Sequence, residues 1–176
     1  AVTRFLSEYV GNGVGSARRV YLLSLGICGA VSLAITATLS YAPVSSMIAG
    51  PLGTGTVFYA GLDALVYSFA QLGAYAMLGI GRATSAGKLI IISSTLRYLA
   101  AALFLVLGAG PSGVFIGFVF GDLFLAVLAN TSAFRSVEHF HGSGANLRPV
   151  SKYMASVFFA AIMGLAVSQT DKLLAF

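Results

Sequence analysis

Apolar runs of about the length of a membrane-spanning helix recur along the chain. The clearest run, 20–41, holds no charged residue, and about 20 apolar residues in a helix cross the roughly 30 Å of hydrocarbon in a bilayer. Further runs of this kind follow at 56–80, 89–107, 114–134 and 153–170. Before them, residues 1–15 place apolar side chains on one helical face. The pattern predicts an all-α, polytopic membrane bundle of about five transmembrane helices after a partial N-terminal helix.

Composition supports a surface that faces lipid. The chain is 58% hydrophobic and 9% charged, whereas soluble proteins carry about 25% charged residues. Ten Lys and Arg with five Asp and Glu are too few to cover a soluble domain of this size. We therefore expect residues 1–176 to be a single membrane-domain fragment that packs against the remaining helices of a larger protein and against the lipid bilayer.

Basic residues cluster in alternate connecting segments of the predicted bundle. The net charge of +5 does not form the basic stripe of a nucleic-acid-binding protein, so we expect no nucleic acid partner. Eight of the ten basic residues lie in the segments around Arg18, Arg82 and Arg148, and the opposite loops, 42–55 and 108–113, hold none. The positive-inside rule then predicts a multi-pass protein of the inner (cytoplasmic) membrane with these three segments in the cytoplasm.

Three ionisable side chains lie inside the predicted spans: Asp63, Arg97 and Asp122. Such residues are candidate functional groups because exposing each of them to lipid is costly. Counting about 1.5 Å per residue places Arg97 and Asp122 near the middle of the membrane on consecutive antiparallel helices. They could form an ion pair that fixes the helix register. Alternatively, Arg97 could face a hydrated cavity and bind an anionic substrate group.

A polar face accompanies these charges on the second run. Asp63, Tyr67 and Gln71 follow one another at intervals of four residues, which places them on one side of a helix. We interpret Arg97, Asp63, Gln71 and Asp122 as candidate substrate-binding residues of a hydrated lumen. Hydrogen bonds between helices would produce the same pattern.

Small residues predict where helices approach each other closely. Cys28, Ser32, Thr36 and Ser40 repeat every four residues along the first run, which favours helix packing over pore lining. Gly117-x-x-x-Gly121, directly before Asp122, predicts a second close contact.

Motifs for metal binding and catalysis are absent from the sequence. His139 and His141 lie beside Glu138 but lack the spacing and further ligands of a metal site. No phosphate-binding glycine loop, H-E-x-x-H or G-x-S-x-G motif occurs. We therefore expect a protein that is not an enzyme and that uses no metal and no cofactor.

Short segments along most of the chain resemble polysaccharide flippases of the MOP (multidrug/oligosaccharidyl-lipid/polysaccharide) superfamily. The most specific is Asp171-Lys172-Leu173-Leu174. The others are Arg4 to Glu8 continuing to Arg19, Gly81-Arg82, Arg97, the stretch from Gly108 to Gly121, and Ser168 to Thr170. The resemblance assigns this chain to about helices three to seven of a family with 12 to 14 helices.

The resemblance implies transport of a lipid-linked oligosaccharide across the cytoplasmic membrane by alternating access. It also implies a cationic lumen that suits a pyrophosphate, with Arg97 as the residue to contact it. One alternative is a cation-coupled multidrug or metabolite exporter of the same superfamily, with the ion on Asp63 or Asp122. Another is a non-transporting scaffold subunit whose Asp63, Arg97 and Asp122 are all paired internally. A membrane enzyme with its catalytic loops elsewhere is a further alternative.

Overall fold

A computed structural model of the chain describes residues 2–11, 17–41, 46 and 54–138. All five elements assigned within these residues are α-helices, so the predicted all-α fold class is confirmed. They are α1 (Val2–Gly11), α2 (Ala17–Ser40), α3 (Thr54–Gly79), α4 (Ala83–Val106) and α5 (Gly110–Glu138). The fifth predicted run, 153–170, the two histidines and the Asp171 motif lie outside the described residues.

Each of the first four predicted runs corresponds to one long helix, but α4 begins before its predicted start and α5 extends beyond both of its predicted ends. Helix α4 begins at Ala83, so Lys88 is helical and does not lie in a loop. Helix α5 begins at Gly110, so the predicted break over Gly108 to Gly113 is wrong from Gly110 onward. Pro111 lies in the first turn of α5, where a residue without an N–H group removes no intrahelical hydrogen bond.

Glycine ends both α3 and α4 by the same backbone arrangement. Gly81 and Gly108 have φ angles of 80° and 81°, a left-handed conformation that glycine adopts without steric cost. Beside Gly81, the amide of Arg82 donates to the Met77 carbonyl at 2.9 Å. This bond is typical of the Schellman motif, which satisfies the last carbonyls of a helix. The connections that follow are short, so α3, α4 and α5 run alternately up and down.

Helix α3 is the central helix of the described bundle. It packs mainly against α5 and also contacts α1, α2 and α4, while α5 packs about as extensively on α4. The core between these helices consists largely of alanine with a few larger side chains, among them Tyr21, Met77 and Leu125, which are at most 2% exposed. Small side chains let helices approach closely where lipid removes most of the hydrophobic drive for association.

Three of the described helices, α2, α4 and α5, are long and apolar enough to cross a membrane. Helix α3 has the length of a span, but Asp63 and Gln71 lower its hydropathy. Large apolar side chains lie exposed on the outside of the bundle, including Leu33, Ile91 and Leu103. A lipid-facing surface has this character, so the described helices form a membrane-embedded bundle, as the sequence predicted.

The small-residue stripe on α2 contacts α3 over part of its length. Ser32 is buried, and the Thr36 hydroxyl donates to the Gly61 carbonyl at 2.9 Å. Ser40 is exposed and Cys28 is half-buried. Helix packing, the favoured interpretation of this stripe, therefore holds for its centre.

One end of the bundle, which we call the basic end, is where α2 and α4 begin and α3 and α5 finish. The hydrogen bond between Tyr21, early in α2, and Asn130, late in α5, shows that these helices are antiparallel. In the described part of the chain, every Lys and Arg of α2 to α5 and their connections except Arg97 lies toward this end: Arg18, Arg19, Arg82, Lys88 and Arg135. The predicted clustering of charge is thus present, while the membrane side of this end stays a prediction.

Candidate functional site

An ionic triad joins the three central helices of the bundle. Arg97 of α4 places Nη1 3.3 Å from Oδ2 of Asp122 on α5, and Nη2 3.5 Å from Oδ2 of Asp63 on α3. The ion pair between Arg97 and Asp122, one of the two sequence interpretations, is confirmed. Asp63 joins this pair and makes the cluster a triad, an arrangement that only the scaffold alternative predicted.

Closely packed helices bring the triad together. Gly117 of α5 lies directly against the backbone of Ala101 on α4, and Gly121, one turn later, lies against the backbone of Arg97. Gly113, one turn earlier, is packed against Phe104. The predicted Gly117-x-x-x-Gly121 contact is therefore confirmed, and with Gly113 it extends over about two turns. Because α4 and α5 almost touch here, the carboxylate of Asp122 reaches the Arg97 guanidinium.

Two aromatic rings flank the guanidinium of Arg97. Its Cζ atom lies 4.1 Å from the centroid of the Phe118 ring and 5.5 Å from that of Tyr67. Both distances are within the range of cation–π attraction. Sequence reasoning placed Tyr67 on the polar face of α3 but missed Phe118. The spacing of Phe118 four residues before Asp122 was the available signal, because residues four apart share a helix face.

The triad has one more formal negative charge than positive when all three groups are ionised. Asp63 and Asp122 are 9% and 2% exposed, so water offsets little of this excess. Asp63 Oδ1 is buried and lacks a hydrogen-bond partner in the described part of the chain, whereas Asp122 Oδ2 makes no hydrogen bond there but forms the ion pair with Arg97. A buried unpaired oxygen of this kind is an acceptor for a proton or another small ligand.

Gln71 lies apart from the triad. It lines a cavity of about 350 Å³ between α1, α2 and α3, together with Val2, Thr3, Cys28, Ser68, Leu72 and Tyr75. Eight residues along a helix correspond to a rotation of about 80° and a rise of about 12 Å, so Asp63 and Gln71 diverge toward different neighbours. The structure therefore divides the four candidate residues between two places, with three in the triad and one in this cavity.

Asn130 forms a second polar contact that the sequence reasoning missed. Its Oδ1 accepts from the Tyr21 hydroxyl at 2.6 Å, and its Nδ2 donates to the Phe69 carbonyl at 2.9 Å. A β-carbon at Gly73 would come within 2.9 Å of Nδ2, so this glycine makes room for the amide. Asn130 thus ties α5 to α2 and α3. An uncharged polar residue inside the apolar run 114–134 was the signal.

The described residues contain no group of three or more His, Cys, Asp and Glu side chains that could hold a metal ion. Comparison with known proteins gives no match among protein-family models, curated proteins or solved structures.

Proposed function

We propose that this chain is part of a membrane transporter in which the triad of Asp63, Arg97 and Asp122 binds and releases a proton during the transport cycle. The observation that carries the proposal is the excess negative charge of the triad in a buried position. Ionisable groups inside a membrane bundle are commonly parts of ion or proton pathways because their burial is otherwise costly.

A proton suits this site better than a metal cation. Two carboxylates provide few oxygen ligands, and hard cations such as Ca²⁺ and Mg²⁺ take about six or more. A proton needs only one carboxyl oxygen, and within the described residues Asp63 Oδ1 is buried without a hydrogen-bond partner, while Asp122 Oδ2 is ion-paired with Arg97. Binding of one proton would make the triad neutral and weaken the attraction of one carboxyl group for Arg97. This loosening would favour a different arrangement of α3, α4 and α5.

The sequence resemblance to polysaccharide flippases supports a lipid-linked oligosaccharide as the cargo. In the conformation described, the charge of Arg97 is already offset by two carboxylates, which argues against Arg97 as the pyrophosphate ligand in this state. The charge balance favours the cation-coupled form of transport, with Asp63 and Asp122 as the coupling residues.

A complementation experiment tests this proposal. A bacterial strain without its own polysaccharide flippase would receive the protein, and exported polysaccharide would be measured with protein level checked by blot. Asp63→Asn and Asp122→Asn remove a proton-binding oxygen with little change in shape, so we expect each to lower export at least about tenfold. A protonophore should lower export by the wild type to a similar extent.

Thr95→Ala is a suitable control on α4, because Thr95 is exposed and donates only to the Ile91 carbonyl of its own helix. Its export should equal that of the wild type. Wild-type export by well-expressed Asp63→Asn and Asp122→Asn variants would remove the coupling role. Failure of the wild type itself to complement would leave the oligosaccharide without support as the cargo.

The internal pairing of all three charges favours one second candidate, a scaffold subunit whose triad is structural. In that case Arg97→Ala would destabilise the bundle, whereas the two Asp→Asn variants would leave transport by the whole assembly unchanged. The same complementation data therefore distinguish the two candidates.

A further inference from the structure

A second pocket opens between α2 and α5 toward the basic end. Its volume is about 460 Å³, within the range of sites for small ligands. The residues that line it are Tyr21, Leu25, Asn130, Thr131, Phe134 and Arg135. None of them belongs to the triad, and the proposed coupling mechanism does not use this pocket.

Two arginines lie at this pocket, Arg18 beside the ring of Phe134 and Arg135 in the lining. The Arg18 guanidinium carbon lies 5.4 Å from the centroid of the ring, and Arg135 lines the pocket directly. Both arginines are exposed. The amide of Asn130 is engaged with Tyr21 and with the backbone of α3 and α5. The polar groups best placed to bind a ligand are therefore the guanidinium groups and the Thr131 hydroxyl.

The pocket lies near the basic ends of α2 and α5, where we expect a lipid to change from headgroup to acyl chain. Arg18 is the second residue of α2, and Arg135 lies in the last turn of α5. Both are within about 6 Å of the helix ends, and Leu25 lies about 10 Å deeper along α2 than Arg18. Long cationic side chains near helix ends reach the membrane interface. The pocket thus has a cationic mouth and an apolar interior.

We propose that this pocket binds an anionic glycerophospholipid, with its phosphate held by Arg18 and Arg135 and the start of an acyl chain beside Leu25 and Phe134. The planar guanidinium group binds phosphate oxygens through two parallel hydrogen bonds. Arg135 also has a contact elsewhere in the protein. A guanidinium has five N–H donors, so Arg135 can keep that contact and bind a phosphate as well. Basic residues at the ends of membrane helices are typical sites for anionic headgroups.

Native mass spectrometry of the purified protein tests this proposal. The probes are phosphatidylglycerol and phosphatidylcholine with identical acyl chains, added to the detergent-solubilised protein. The double variant Arg18→Gln/Arg135→Gln removes both pocket cations. Arg82→Gln/Lys88→Gln removes the same charge from the basic end outside the pocket and is the matched control. We expect the first variant to retain at least about tenfold less phosphatidylglycerol, and the control to retain it like the wild type.

Thr131→Trp provides a test that leaves the charges in place. Thr131 is exposed, so the bulky side chain fills the pocket without entering the core, and it should lower phosphatidylglycerol retention about as strongly. Unchanged retention in this variant would overturn the proposal. An equal loss in the two Gln double variants would do the same, because it would show only general attraction to a basic surface.

Two further experiments identify the ligand that fills the pocket. Equal retention of phosphatidylcholine by the wild type, or complete displacement of phosphatidylglycerol by millimolar inorganic phosphate, would show that an anionic lipid is not the specific ligand. A photo-reactive residue in place of Thr131 should crosslink to phosphatidylglycerol in membranes. A crosslink to another segment of the protein instead would show that protein fills the pocket, and the lipid site would be rejected.

Discussion

Gly121 lies directly against the backbone of Arg97. A β-carbon at Gly121 would come within 2.7 Å of the Arg97 Cα atom. The next residue, Asp122, places its carboxylate 3.3 Å from the guanidinium of the same arginine. The ion pair therefore depends on the close packing of α4 on α5, since a wider spacing between these helices would separate the charges.

The close approach predicts a large effect of adding a methyl group at Gly117. Its β-carbon would overlap the backbone of Ala101, so Gly117→Ala should force α4 and α5 apart and lower the free energy of unfolding by about 1–3 kcal/mol or more. Thermal unfolding in detergent measures the loss. At Gly87, a β-carbon meets no atom within 4 Å, so Gly87→Ala should stabilise α4 by about 0.5–1 kcal/mol. Equal melting temperatures for the two variants would contradict the described contact.

The triad predicts strongly non-additive effects on stability. Arg97→Ala leaves two buried carboxylates without their cation and should cost about 3–5 kcal/mol. Adding Asp122→Ala should recover part of this loss. Adding Asp63→Asn as well should recover most of the rest, because no buried charge then remains unpaired.

The measurement is a thermal-unfolding cycle over the single, double and triple variants at one detergent concentration. Strictly additive losses would exclude the pairing of Arg97 with Asp122. A double variant of Arg97 and Asp122 as stable as the triple variant would instead exclude Asp63 from the cluster.

The contacts of Asn130 predict a graded loss of stability. Tyr21→Phe removes one hydrogen bond to Asn130 and should cost about 0.5–1.5 kcal/mol. Asn130→Ala should cost more, because it also leaves space beside Gly73 that no other side chain fills. Thr38→Ala is the control, since Thr38 is exposed and donates only within α2. A loss at Thr38 equal to that at Tyr21 would contradict the role of this contact.

The clustering of basic residues predicts the orientation in the membrane. After Cys28, the only cysteine, is replaced by alanine, single cysteines can be placed at Ser46 and at Ser85, both exposed. By the positive-inside rule, a membrane-impermeant thiol reagent should label Ser46→Cys in intact cells but not Ser85→Cys at the basic end. Labelling of both after lysis is the control. Labelling of Ser85→Cys alone in intact cells would reverse the orientation.

The existence of each helix could be predicted from the sequence because hydropathy and charge are local, although α4 begins six residues and α5 four residues before the predicted start. The run 20–41 corresponds to α2 within three residues at its start, since a bilayer requires about 20 apolar residues whatever their neighbours are. The depth of a charged residue within its span also follows from local sequence, because it depends only on the residue's position along the helix. A rise of about 1.5 Å per residue was enough to place Arg97 and Asp122 at one level, which made their pairing one of the two interpretations.

Rotation about each helix axis and the choice of neighbour depended on tertiary packing. Asp63 and Gln71 were predicted to lie on one face of α3, but Asp63 belongs to the triad and Gln71 faces α1 and α2. The reason is that four helices surround α3, so each side of it packs against a different helix. Asn130 can hydrogen-bond to the Phe69 carbonyl because Gly73, 57 positions away in the sequence, has no side chain and leaves room for the amide. Such contacts join distant parts of the chain, and local sequence patterns do not contain their geometry. The sequence by itself therefore determined which segments form membrane helices and the depth of the charges along them, while packing between helices decided which polar groups meet.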